Sequence, residues 1–127
     1  MPPVFKGVFP VVTVVDIAKS VEFYKHALGF VSTFRWPADE SADPEFVTLA
    51  LENREIGIGN VEAGATPSFS NVELCLEVED MSAAWTWLID HGATEVQPPT
   101  AQPWGETNAY IADPDGLKIH IYCKNHS

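Results

Sequence analysis

Apolar and polar positions alternate along most of this chain, and the alternation gives way twice to helical spacing. Residues 9–15 are rich in β-branched side chains and predict a strand. Asp16 follows, where a carboxylate can accept the free first-turn N–H groups of a helix. Ile17, Val21, Tyr24 and Leu28 then recur at helical spacing, widened by Phe23, and Gly29 marks the helix end. Residues 30–36 predict a second strand that Pro37 stops, and 38–44 a loop carrying Asp39, Glu40 and Asp43. Residues 46–51 and 54–59 predict a hairpin over Glu52-Asn53. Residues 61–68, with Gly64 and Pro67 among them, predict a linker.

The pattern then restarts. Val72, Leu74, Leu76 and Val78 alternate with Asn71, Glu73, Cys75, Glu77 and Glu79, a strand with one apolar and one largely acidic face. Asp80 caps a second helix whose apolar stripe is Met81, Ala84, Trp85, Leu88 and Ile89, closed by His91-Gly92. Residues 93–97 predict a strand and Pro98-Pro99 a break. The last predicted hairpin runs from Gln102-Pro103-Trp104-Gly105-Glu106 through Tyr110 and turns at Asp113-Pro114-Asp115-Gly116. There proline pre-sets φ for the turn and glycine tolerates the positive φ that follows. Beyond it, Leu117, Ile119, Ile121 and Cys123 fall on one face and Lys118, His120, Tyr122 and Lys124 on the other.

The two stretches are copies of one plan. Asp16 and Asp80 are 64 residues apart, and Gly29 and Gly92 are 63 apart. Residues 55–58 likewise precede 118–121 by 63. Each copy reads strand, helix, strand, strand, strand. The prediction is an α+β fold: a single domain over 1–127, made of two βαβββ modules at about 5–60 and 70–124. The modules form curved mixed sheets around a cavity, with the helices outside.

Composition narrows the functions. Seven basic against 18 acidic residues give a net charge of −11, which argues against a nucleic-acid partner; it keeps the protein soluble in the first place, and it would also attract a cationic partner. No apolar run approaches the roughly 20 residues of a membrane span, and the N-terminus lacks a signal-peptide shape. Strand parity puts Cys75 and Cys123 on opposite faces, against a disulfide. The expectation is a cytoplasmic protein with two reduced thiols and no membrane partner.

The duplicated plan resembles the vicinal oxygen chelate superfamily, which includes glyoxalase I, fosfomycin resistance proteins, extradiol dioxygenases and bleomycin resistance proteins. The resemblance rests on residues 10–16, Val21-Glu22-Phe23-Tyr24, Leu28-Gly29-Phe30 and the Asp113-Pro114-Asp115-Gly116 turn. Gln102-Pro103-Trp104-Gly105 and Pro10 are similar to the bleomycin resistance branch. That likeness implies a non-catalytic homodimer that sequesters an antibiotic-like, planar or cationic ligand in a groove built by both chains. In the superfamily's enzymes, one divalent metal is held at positions that correspond here to Phe9, Gly57, Glu73 and His120. Two of these have no side-chain donor, so no metal cofactor is expected. The alternative is a metal-dependent glyoxalase or dioxygenase-type enzyme using Glu73 and His120.

The candidate ligand-binding residues are Trp104, Trp36, Glu73, His120, Tyr110 and Phe9, with no catalytic residue assigned. An indole presents a large flat apolar surface for a planar ligand, or it packs in an ordinary way. Pro103 and Gly105 hold Trp104 out of a regular ladder, which favours the first for Trp104. Glu73, Glu77 and Glu79 share a strand face, either solvated or, if the sheet curves around a cavity, with Glu73 inside it. His120 is mid-strand on a non-core face, as a ligand contact or as a partly buried histidine bonded to a neighbour. His26 and His91 lie near helix C-termini, where the dipole favours a cation. Trp85 is assigned to the core and Trp87 to a more exposed position suited to a subunit contact.

Overall fold

The structure, a computed structural model, describes residues 8–60 and 73–124. The expected linker at 61–68, with Asn71 and Val72, lies outside the described residues. The chain runs β1 (Val11–Val14), α1 (Ile17–His26), β2 (Val31–Trp36), β3 (Phe46–Leu51), β4 (Arg54–Asn60), β5 (Leu74–Glu77), α2 (Met81–Asp90), β6 (Thr94–Ala101), β7 (Glu106–Ala112) and β8 (Lys118–Lys124). Two four-stranded mixed sheets result, ordered β1-β4-β3-β2 and β5-β8-β7-β6. In each the first strand pairs parallel with the last, and the other pairs are antiparallel. This is the expected α+β duplication. Among the described residues no helix is long and apolar enough to cross a membrane.

The local signals act as the sequence suggests. Asp16 Oδ1 accepts Lys19 N–H at 3.1 Å, and Asp80 Oδ1 accepts Ala83 N–H at 3.1 Å. Gly29 and Gly92 take φ of 83° and 99°, which lets the chain reverse out of each helix into the next strand. Each sheet turns one face to a shared core. Val12, Val14, Val47, Leu49, Ile56 and Ile58 supply the first half, and Ala109, Ile111, Ile119 and Ile121 the second. Cys75 and Cys123 are both free thiols.

Two expectations about elements need correcting. The chain does not break at Pro98-Pro99: β6 runs through them. It can because β6 is the edge strand of its sheet, and its register slips between Gln97 and Thr100, so no ladder N–H is demanded of either proline. In α2 only Met81 and Leu88 are buried. Trp85 is half-buried against the core, and Ile89 is exposed, so it is not part of the stripe.

The modules are tied by polar contacts. Tyr24 of α1 donates its hydroxyl to Asp113 Oδ2 at 2.8 Å, and Ser20 donates to Asp115 Oδ2 at 2.9 Å. Trp87 of α2 donates its indole N–H to the Ala27 carbonyl at 2.9 Å, while its ring stacks on His91 with centroids 3.6 Å apart. Trp87 is thus half-exposed and engaged in a contact between the two helices of its own chain.

Candidate functional site

Strand register assembles the site on the face of the second sheet that turns away from the core. Cys75 pairs with His120, His120 with Tyr110, and Tyr110 with Gln97, so the four form one row across β5, β8, β7 and β6. Glu73, immediately before β5, shares the parity of Cys75. Its Oε1 lies 3.7 Å from His120 Nδ1 and 3.8 Å from Cys75 Sγ. Cys75 Sγ in turn lies 3.6 Å from the same Nδ1. Glu73 and Cys75 are exposed and His120 is half-buried.

Aromatic rings fix the histidine. Tyr110 stacks on it with centroids 4.8 Å apart and planes at 17°, and Tyr122 lies tilted at 5.7 Å. Lys118 Nζ sits 4.6 Å over the Tyr110 ring. His120 Nε2 is buried without a hydrogen-bond partner among the described residues, so the ring's polar interactions fall on Nδ1. Burial, and then the Glu73 carboxylate, push the Cys75 thiol above its ordinary range. Burial, with the nearby Glu73, does the same to the Tyr110 phenol. Asn108, in the adjacent row, accepts Gln102 Nε2 at 2.9 Å, which ties the turn carrying Trp104 to the sheet.

The first sheet presents a different surface. Register aligns Val11, Gly57, Thr48 and Phe34 in one row, and Thr13, Gly59, Phe46 and Trp36 in the next. Val11, Phe34 and Trp36 are all at least half exposed. The two glycines carry no side chain, and the Phe46 ring packs into the space this leaves and buries them. A Cβ on Gly57 would come within 2.8 Å of Phe46 Cζ. The loop after Trp36 is held by Arg35, whose guanidinium donates to the carbonyls of Pro37, Asp39 and Ala42 at 2.6–2.8 Å. Arg35→Ala should therefore free the acidic loop, read as faster amide exchange over 38–44 with the melting temperature nearly unchanged.

That surface decides the four-position metal site implied by the family resemblance. Phe9 has no donor atom. At Gly57 the Phe46 ring fills the space that a ligating side chain would need. The residues present do not fit that site. Gly57→Ala should make the Phe46 ring swing aside. The overpacking costs about 1 kcal/mol in a thermal melt, since the ring edge can move.

The predicted residues thus divide. Glu73, His120 and Tyr110 come together. Trp36 and Phe9 belong to the first sheet, Trp36 at the end of β2 and Phe9 just before β1, both largely exposed. Trp104 sits at the β6–β7 turn, 67% exposed, where Gly105 takes a φ of 98°. Cys75, Tyr122 and Lys118 complete the cluster and were not among the sequence candidates. The signal for Cys75 was its parity with Glu73. Beyond the row, an open groove of about 640 Å³ is lined by Glu77, Val78, Glu79, Cys123 and Lys124.

Comparison with known proteins bears on this architecture. Residues 8–121 match the sequence model of the Glyoxalase/Bleomycin resistance protein/Dioxygenase superfamily. No curated protein matches the sequence. Among solved structures, a member of that superfamily from Sphaerobacter thermophilus is 26% identical, with a TM-score of 0.75 over 94% of this chain and 98% of its own. TnmS3, an antibiotic binding protein from a Streptomyces species, is 22% identical, with a TM-score of 0.74 over 98% of this chain and 100% of its own. TioX from a Micromonospora species is 17% identical, with a TM-score of 0.74 over 96% and 98%. The last two likenesses speak for the fold alone. With nearly the whole chain matched by the family and the fold duplicated as the family's is, this protein belongs to the Glyoxalase/Bleomycin resistance protein/Dioxygenase superfamily.

Proposed function

We propose that the protein is a non-catalytic small-molecule binding protein, a cytoplasmic homodimer that sequesters an antibiotic-like planar or cationic ligand. The observation that carries this reading is the first sheet's outward face. There Phe34 and Trp36 stand exposed on the edge strand β2, in the rows of Gly57 and Gly59, and the Phe46 ring covers the Gly57 position where the family's enzymes place a metal ligand. Such a surface suits an aromatic ligand, and a net charge of −11 suits a cation. Pairing with a second copy would cover exposed Val31 and Val96 on the edge strands β2 and β6.

A second reading, a metal-dependent lyase or dioxygenase, is favoured by the approach of Glu73 to His120. One experiment separates them. A panel of planar cationic antibiotics is titrated into the protein by calorimetry. Each is then recovered after long incubation with protein supplied with zinc, manganese or ferrous iron. The binding reading expects a saturable ligand returned unchanged. Turnover of the ligand, or saturation by no member of the panel, counts against it. Expression in a sensitive host should then raise tolerance to the same compound.

A further inference from the structure

We propose that Glu55 anchors the positive group of the bound small molecule, which makes that ligand a planar aromatic cation. This assignment rests on the small-molecule binding reading and narrows its ligand from planar or cationic to both at once. Its origin is an irregularity in β2. The β2–β3 register pairs Ser32 with Leu49 and Phe34 with Thr48, so Thr33 is an extra residue in a bulge. A bulge re-aims a side chain that strict alternation would send elsewhere. The Thr33 hydroxyl accordingly lies 2.7 Å from that of Thr48, the cross-strand partner of Phe34. Polar Thr33 and exposed Phe34, consecutive in sequence, thus share the outward face of the first sheet.

Glu55 reaches the same point from β4. Strands two apart in a sheet are separated by roughly 9.5 Å, so its side chain extends across β3 to accept the Thr33 hydroxyl at Oε2, 2.9 Å away. The Thr48 carbonyl, at 3.2 Å and uncharged, is the weaker competitor for that proton. With its proton on the carboxylate, Thr33 accepts from Thr48, and the two hydroxyls in series fix one carboxylate oxygen. Among the described residues Oε1 takes no hydrogen bond and Glu55 no ion pair. By strand parity Glu55 is the one charged side chain on that face among the described strand residues. Its neighbours there are Val11, Gly57, Thr48, Phe34 and Trp36. A carboxylate with one oxygen held and one open, beside an exposed aromatic edge, has the form of a receptor for a cationic N–H group. Phe34 and Trp36 stand roughly 6.6 Å apart along β2, within the span of a fused three-ring system. A ring lying on them would shield the ion pair from water, and the lower local dielectric would strengthen it. A hydrogen bond serving only to brace the strands would confer no preference for charge.

The test uses two dyes built on one three-ring frame: proflavine, a cation at neutral pH, and acridine, uncharged there. Each is titrated into the protein by fluorescence and calorimetry. Wild type should bind proflavine at least about tenfold more tightly than acridine, the lower end for a hydrogen bond to a charged group. Glu55→Gln should erase that preference by weakening proflavine alone. Thr33 is a positioning residue. Thr33→Val keeps the charge but frees it, so it should narrow the preference, and Thr33→Ser should restore it. Glu73→Gln, on the second sheet, should leave the preference intact. All four variants should keep the wild-type melting temperature and acridine affinity. Failure of wild type to bind either dye overturns the binding reading for this surface, and the anchor with it. Equal affinity for the two dyes overturns the anchor alone. So does a preference that survives Glu55→Gln, or one that disappears in Glu73→Gln. A preference untouched by Thr33→Val overturns the hydroxyl pair as the device that positions Glu55.

Discussion

Asp113→Ala should destabilise the fold by about 3–5 kcal/mol, because it strips partners from several buried donors at about 1–3 kcal/mol each. Asp113 is buried in the β7–β8 turn. One oxygen accepts the Tyr24 hydroxyl, and the other accepts the backbone N–H groups of Asp115 and Leu117, both at 2.9 Å. Tyr24 is itself fully buried and stands edge-on to Phe23 and Phe30, so its hydroxyl has no water to turn to. Asp113→Asn, which keeps an acceptor for the two N–H groups, should cost clearly less. Tyr24→Phe should cost about 1.5–3 kcal/mol, the value of a hydrogen bond to a charged group. Urea denaturation of the three variants checks the order. A melt of Asp113→Ala indistinguishable from that of Asp113→Asn would falsify it.

The same carboxyl makes a pH prediction. Burial raises its pKa above the ordinary 3.8, against the pull of the Tyr24, Leu117 and Asp115 donors. A carboxyl whose folded value is raised binds its proton more tightly in the native state. Its contribution to stability is therefore present in acid and declines as pH rises from the unfolded value through the folded one. The stability advantage of the wild type over Asp113→Asn should shrink across that window. An advantage that grows with pH would mean that the N–H donors outweigh burial.

This tie shows where the sequence was legible and where it was not. The Asp-Pro-Asp-Gly turn could be placed from proline and glycine chemistry alone, and both helix caps from a single carboxylate each. What remained hidden was the destination of the side chains. Ser20 sits on the apolar stripe of α1, between Ile17 and Tyr24, which marks a buried hydroxyl in need of a partner. Nothing local says that the partner is Asp115, 95 residues away. Cross-sheet register has the same character. Parity placed Glu73, Cys75 and His120 on the faces they occupy, but only the parallel β5–β8 pairing sets Cys75 rather than Glu73 opposite His120. The prolines of β6 misled because edge position is a property of the sheet, not of the strand.

The ligand surface yields the second large effect, which rests on the drug-binding reading. Replacing Phe34 and Trp36 together by alanine should weaken binding of the sequestered ligand about 100-fold. Stacking on each ring contributes about 0.5–1.5 kcal/mol beyond area burial, and the burial of apolar surface adds to it. Both side chains are more than half exposed on β2, the edge strand of the first sheet, where a flat ligand can reach them. Removing them opens no core cavity, so thermal stability should stay within about 0.5 kcal/mol of wild type, as for surface substitutions. Trp104→Ala, at the turn of the second sheet, should cost about tenfold, in keeping with one stacking contact to a cationic ligand. Tryptophan fluorescence reads both, since two of the four indoles are Trp36 and Trp104. If the double variant binds with wild-type affinity while Trp104→Ala does not, the ligand lies on the second sheet alone. The exposed aromatics of the first would then belong to a subunit contact.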